Sequence, residues 1–449
     1  MKKTIIFLAI LTLVVTSCKL KRTPITPETA LDNYLNNNDK TFSWEVKETF
    51  EINGLKAAHL KLVSQKWREY EWVHQLTIIF PEEIKHNSAL LFINGGSNKN
   101  GEPNWKGGND GVLQMMSRIA AKNTAMVAIL SQVPNQPLYD DLTEDALISY
   151  TLHNYKSDRD FTWPLLFPMV KSAVRAMDAV EEYSARELKK KIDRFVVSGA
   201  SKRGWTTWLT GSRDRRVVAI APMVIDVLNM PVNIDYQKEV WGDYSIQIED
   251  YVKLGIAQDI NTPDGKELTT MIDPYSYRSN LTMPKLILIG TNDEYWPVDA
   301  IKHYINEIPG ENYIHYVPNA GHDLGDGIQA IETLSAFFKT VLNKSPHTVC
   351  SWDISFDSLE IDLSVCASPG LKAAYLWVCN SPDRDFRNDI FTSQKIEFDD
   401  ISDINVEVDY PDEGFRAFYV DLVYPDPVEG FYSKSTRMFV CSEKELFLN

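Results

Sequence analysis

The segment of this chain best suited to nucleophilic chemistry is Val196-Val197-Ser198-Gly199-Ala200-Ser201-Lys202-Arg203-Gly204. A serine hydroxyl attacks a carbonyl only when a base takes its proton, so Ser201 must stand on a sharp turn within reach of an imidazole. The apolar run ending at Ser198, small residues at 199 and 200, and a helical pattern from Lys202 supply a strand, a turn and a helix in that order. The segment departs from the usual G-x-S-x-G, with Arg203 at the second position after the serine and Gly204 at the third. The alternative use of Ser201 is as the N-cap of an ordinary strand-to-helix turn.

A base is available downstream. His322 follows an apolar strand ending at Val317, in Pro318-Asn319-Ala320-Gly321-His322-Asp323. The acid that orients such a base fits best at Asp293, just after the run Leu286-Ile287-Leu288-Ile289-Gly290. Glu294, Asp299 and Asp226 are its rivals. A tetrahedral oxyanion needs two N–H donors, expected from Lys202 and from Gly95-Gly96 after the strand ending at Ile93. Lys202 and Arg203 either meet an anionic group of a substrate or pair with acidic neighbours and brace the turn. Trp105, Trp163, Trp241 and Trp296 either stack on a sugar or fill the core.

The elements that must carry these residues read as follows. A short helix is expected over 27–36, then strands over 42–50, 55–64, 71–80 and 89–93, where Val73, Leu76, Ile78 and Phe80 carry the strand pattern. From residue 109 helices and strands alternate, with helices over 109–121, 168–183 and from 202, and strands over 125–130, 194–198 and 217–222. Strands over 284–290 and 312–317 and helices over 297–305 and 327–342 complete the series. Such alternation predicts a mostly parallel sheet with helices on both faces, with reactive groups at the carboxyl ends of its strands. Residues 133–165 and 229–280 are long, aromatic and irregular, and are read as insertions roofing the site. After Asn343-Lys344-Ser345-Pro346 the pattern changes to short strands over 349–356, 359–365, 372–379, 401–408, 417–423 and 437–441, which predicts a β-sandwich module. The expected domains are therefore 19–345 and 346–449.

A formal charge of −16 argues against a nucleic-acid partner, which would need a basic stripe to neutralise phosphates. Lys2 and Lys3, an apolar run over 5–15 and then Thr16-Ser17-Cys18 have the layout of a secretory signal. Val15-Thr16-Ser17-Cys18 resembles a lipobox, so residues 1–18 are expected to direct export to the bacterial cell envelope. Cys18 would carry a lipid as the only membrane attachment, the alternative being an ordinary secretory signal. Cys350, Cys366, Cys379 and Cys441 all fall in the last stretch of the chain and form two bridges or remain free thiols. No metal and no cofactor is expected.

Together, Gly199-Ala200-Ser201-Lys202-Arg203-Gly204-Trp205, Thr143-Glu144-Asp145-Ala146, Trp163 with Pro168-Met169-Val170-Lys171, Ile225-Asp226-Val227-Leu228-Asn229, Ile272-Asp273-Pro274-Tyr275 and Gly290-Thr291-Asn292-Asp293-Glu294 resemble the PhoPQ-activated pathogenicity-related family. The resemblance runs from about residue 28 onward and implies an α/β-hydrolase fold in an exported bacterial protein. The Ser-to-Gly spacing is also similar to the turn of glucuronoyl esterases. The function expected is that of an exported serine hydrolase acting on an ester or amide of a small molecule, peptide or carbohydrate. The alternatives are a non-catalytic surface or secreted protein on the same fold and a dipeptidyl-peptidase-like enzyme. The last, implied by a related secreted branch of the family, requires Glu144 and Asp145 to bind a substrate ammonium. Otherwise these two cap a helix start with Thr143.

Overall fold

In the computed structural model, which describes residues 24–449, the chain from residue 43 onward builds one large mixed sheet and smaller separate ones. The expected secretory segment and Cys18 lie outside the described residues. Strands β1 (Ser43–Ile52), β2 (Leu55–Trp67) and β3 (Tyr70–Phe80) form an antiparallel meander. They lead into β4 (Ser88–Ile93), β5 (Met126–Leu130), β6 (Arg194–Ala200), β7 (Val217–Met223), β8 (Lys285–Gly290) and β9 (Asn312–Val317). The order is β1-β2-β3-β5-β4-β6-β7-β8-β9, and from β5 to β9 all neighbours are parallel.

The parallel strands read as continuous apolar runs because helices cover both faces. Leu90, Phe92, Val127 and Ile129 face α2 (Gly111–Asn123) and α9 (Ile328–Asn343), and they pack on Met116, Leu334 and Phe338. The alternate residues Leu91, Ile93, Ala128 and Leu130 face α4 (Leu166–Glu187) and α5 (Lys202–Arg213). This is the period-two alternation of a pleated strand used on both sides at once. Helix α1 (Pro27–Leu35) closes the second layer with Leu31 and Tyr34 buried.

The two long stretches after β5 and β7 are more regular than their sequence suggests. The first contains α3 (Glu144–Asp158), and the second contains α6 (Met230–Trp241), α7 (Glu249–Lys253) and α8 (Pro263–Ile272). Helix α8 has a start signal in Thr262-Pro263: the threonine hydroxyl accepts the Gly265 N–H, and proline occupies the first turn. Conversely, the helix expected over 297–305 is only two short 3-10 turns, Ala300–His303 and Ile305–Glu307. There Asp299 is tied to Tyr236 and Lys302.

Beyond α9 the chain forms β10 (Cys350–Phe356), β11 (Glu360–Ala367), β12 (Ala373–Ser381), β13 (Thr392–Ile396), β14 (Ile404–Asp409), β15 (Phe415–Pro425), β16 (Phe431–Ser435) and β17 (Phe439–Ser442). Strands β10, β11 and β14 make a separate sheet, whereas β16-β15-β12-β13 continue the large sheet from β9, where Ile314 pairs with Ser435. The two layers enclose Ile361, Leu363, Val406, Phe418 and Leu422. Strands β13 and β16 are additions to the sequence-based series. Among the described residues, Cys350, Cys366, Cys379 and Cys441 are free. Burial pushes the Cys379 thiol up to about 12 and the Cys441 thiol up to about 11.

Candidate active site

Ser201 sits between β6 and α5 with φ 58° and ψ −127°, a conformation that a serine adopts only when its surroundings enforce it. Its N–H donates to the Met223 carbonyl at 2.9 Å, and its carbonyl accepts from Trp205 at 2.9 Å. Two glycines permit the turn. A Cβ at Gly199 would lie 2.9 Å from the Ile93 carbonyl oxygen, and one at Gly204 would lie 2.8 Å from both the Met223 carbonyl oxygen and Ile225 Cγ2. The spacing of Ser201 and Gly204 follows from this: the third position, not the second, is where α5 presses on the end of β7.

The Ser201 side chain makes no capping hydrogen bond to α5. Its Oγ instead lies 2.8 Å from His322 Nε2. On the other side of the ring, Nδ1 is 2.9 and 3.0 Å from the two carboxylate oxygens of Asp293. The tautomer consistent with both contacts carries its proton on Nδ1, donating to Asp293, and leaves Nε2 to accept from Ser201. Tyr295 stacks on the imidazole with centroids 4.0 Å apart, and its N–H holds Asp293 Oδ1 at 2.8 Å. Burial pushes the Asp293 carboxyl up, and the hydrogen bond and charge of His322 offset only part of that. Gly290 lets the ends of β8 and β9 meet, since a Cβ there would strike the Ala320 carbonyl oxygen at 2.3 Å.

The rival acids are engaged elsewhere. Asp226 is buried and accepts the Tyr304 hydroxyl at 2.5 Å. Burial pushes its carboxyl up to about 7 against that bond. Asp299 accepts from Tyr236 and Lys302, and Glu294 accepts the main-chain N–H of His322 at 2.9 Å.

Of the two roles left open for Lys202 and Arg203, the geometry has the bracing one. Lys202 Nζ is 3.0 Å from carboxylate oxygens of both Glu144 and Asp145. The Arg203 guanidinium grips Glu144 at 2.6 and 2.7 Å and donates through Nε to the Val133 carbonyl. Burial pushes the Glu144 carboxyl up, but the Arg203 bonds and charge, with Lys202, outweigh it and hold it at about 2. Thr143 makes no side-chain cap to α3; the Glu144 N–H is taken by Gln136 instead. Gly95 lies directly against the Arg203 guanidinium, 2.7 Å from where its Cβ would stand. The Gly95 and Gly96 carbonyls accept from Gln132 N–H and the Gln136 side chain. In a trans peptide the N–H opposes the preceding carbonyl, so the Gly96 N–H is turned away from Gln132.

A cavity of about 80 Å³ abuts Ser201 beneath α6, α7 and α8. Of the four tryptophans singled out, Trp296 lines it. Trp105 packs near His59, Trp163 under Arg68, and Trp241 under Arg387. Sequence reasoning missed Tyr295 and two asparagines. Asn292 donates to the carbonyls of Phe386 and Asp389 at 2.8 and 2.7 Å, and Asn319 exchanges two bonds with Phe391. Their only signal was position, beside the acid and near the base. Among the described residues no cluster of His, Cys, Asp or Glu side chains is arranged to hold a metal ion, and no helix is long and apolar enough to cross a membrane.

The order of the parallel strands, with Ser201, Asp293 and His322 at the ends of β6, β8 and β9, defines an α/β-hydrolase. Within that class the chain belongs to the PhoPQ-activated pathogenicity-related protein family, whose model matches residues 31–387. It is 31% identical over 431 residues to Autocrine proliferation repressor protein A of Dictyostelium discoideum, covering 88% of this chain and 86% of that one. Among solved structures it is similar to acetyl xylan esterase 1 of Thermoanaerobacterium, at 18% identity and a TM-score of 0.48, over 70% of this chain and 96% of the esterase. Acylaminoacyl peptidase of Pyrococcus horikoshii matches at 15% identity and a TM-score of 0.42, over 70% of this chain and 49% of the peptidase.

Proposed function

We propose that this protein is an exported serine hydrolase that cleaves an ester or amide through Ser201, His322 and Asp293. The observation that carries the reading is the unbroken relay from Asp293 through His322 to Ser201 Oγ, with contacts of 2.9 and 2.8 Å, on a serine held at positive φ. Ser201 Oγ attacks the carbonyl carbon as its proton passes to Nε2. The oxyanion is met by the N–H groups of Lys202 and Gly96. His322 then returns the proton to the departing alcohol or amine, and water repeats the sequence on the acyl-enzyme. Asp293 keeps Nδ1 protonated and stabilises the imidazolium.

Export by residues 1–18, with lipidation at Cys18, belongs to the same proposal and rests on the sequence alone. The test is labelling with a fluorophosphonate: wild type should react at Ser201, and Ser201→Ala should be silent while melting at an unchanged temperature. A folded wild type that never labels would sink the reading.

A second reading, a regulatory protein that does no chemistry, is favoured by the name of the Dictyostelium relative. Under it His322→Ala would leave biological activity untouched. The peptidase alternative loses support because Glu144 and Asp145, its candidate ammonium ligands, are already neutralised by Lys202 and Arg203.

A further inference from the structure

The cavity beside Ser201 is walled by side chains that offer a ligand almost nothing but hydrocarbon. Its apolar lining includes Ile225, Met230, Ile260, Leu268 and Trp296, with Trp205 beside the serine. Some of the polar groups on the wall are already satisfied within the protein, whereas the buried Trp296 indole N–H has no partner among the described residues. Trp205 Nε1 donates to the Ile272 carbonyl at 2.6 Å, and the Thr269 hydroxyl donates to the Lys266 carbonyl at 3.1 Å. At the rim, Asp145 is held by Lys202 at 3.0 Å and by the Tyr251 hydroxyl at 2.9 Å. A sugar ring carries several hydroxyls, and beyond the one that the Trp296 N–H could meet, each that is buried without a partner would cost about 1–3 kcal/mol.

We propose that this cavity is an acyl-binding pocket and that the substrate carries an apolar acyl group longer than acetyl. The inference rests on the nucleophilic reading of Ser201 and names the substrate class for it. After attack the acyl carbon stays bonded to Ser201 Oγ while the alcohol or amine leaves with the proton from His322. The recess that abuts Ser201 therefore suits the part that stays, and the part that leaves needs an open path. Met230, Ala257, Ile260 and Leu268 of the wall belong to the insertion between β7 and β8, while Trp205, Ile225 and Trp296 come from α5 and the strand-end loops, so the insertion shares in setting chain-length preference.

The experiment compares p-nitrophenyl acetate, butyrate, hexanoate and octanoate, and in parallel the labelling rates of alkylphosphonate p-nitrophenyl esters of matching chain length, which need no turnover. Each methylene that enters the pocket should raise kcat/KM or labelling rate by up to about four-fold, the equivalent of its transfer free energy. Hexanoate should therefore exceed acetate by at least about ten-fold. Ala257→Phe, which fills the recess, should lower the hexanoate-to-acetate ratio by about ten-fold or more. Ile260→Ala, which deepens it, should move the optimum to longer chains and keeps the test open if the larger residue disturbs folding. Labelling at Ser201 that is indifferent to chain length, or fastest with the shortest chain, overturns the acyl pocket and leaves the nucleophile standing. Failure of every phosphonate to label overturns the nucleophile itself.

Discussion

Asp293 holds His322 through both carboxylate oxygens, 2.9 and 3.0 Å from Nδ1, so the ring is fixed in orientation as well as in tautomer. Burial alone would favour a neutral Asp293. The imidazole is the partner that repays its charge.

Replacing Asp293 by asparagine preserves the shape and removes that charge. The amide can present an N–H to Nδ1 and force the proton onto Nε2, where it blocks the base. Asp293→Asn should slow fluorophosphonate labelling on the order of 10³- to 10⁴-fold with little loss of stability. A fall of less than ten-fold in timed labelling would reassign the acid.

Asp226→Asn makes the opposite prediction, since its carboxyl touches Tyr304 and not His322. Labelling should stay within a few-fold of wild type. The Asp226 carboxyl is raised in the fold to about 7, against an ordinary value of about 3.9 when unfolded. A raised group contributes stability in full below its unfolded value and loses it as pH climbs through its folded value. Urea midpoints should therefore shift in favour of Asp226→Asn as pH rises from about 4 to about 7, then level off.

Glu144 has the reverse sign. Held at about 2 by Arg203 and Lys202, it contributes stability above its unfolded value of about 4.3 and loses it as pH falls toward 2. Glu144→Gln should cost roughly 1–2 kcal/mol at pH 7 by chemical denaturation, less than a fully buried pair because the side chain is partly exposed. As pH falls from about 4 toward 2 the gap between variant and wild type should close.

Gly204→Ala drives a methyl into the Met223 carbonyl oxygen and Ile225, and should destabilise by about 1–3 kcal/mol. Gly107→Ala, which meets open space, is the control and should change stability by under about 0.5 kcal/mol. Equal melting temperatures for the two variants would refute the account of the Ser201-to-Gly204 spacing.

Much of the site could be read from sequence because parallel strands leave an unmistakable apolar run, and Ser201, Asp293 and His322 each follow one. The sequence favours Asp293 by its place but leaves Asp226 and Asp299 as rivals, and in the fold the neighbours exclude them: Tyr304 for Asp226, Tyr236 and Lys302 for Asp299. The partner of Arg203 was equally hidden, because Glu144 lies far away in sequence and arrives only when α3 folds over the elbow. The helices of the second insertion went unread because their apolar residues turn toward a cavity as well as a core, which blurs the amphipathic stripe that betrays a helix. Strand pairing between β9 and β16 depends on contacts that local alternation does not encode.

Asn292 and Asn319 fasten the loops of Asp293 and His322 to the main chain between Phe386 and Phe391, and β9 hands its hydrogen-bonding edge to β16. A chain ended after α9 would forfeit both restraints at once. It would also bare an unpaired strand border, the kind of surface on which proteins stick to one another. The smallest stable piece of this protein is thus expected to extend past α9, to the segment that holds Asn292 and Asn319 and the strand that covers β9.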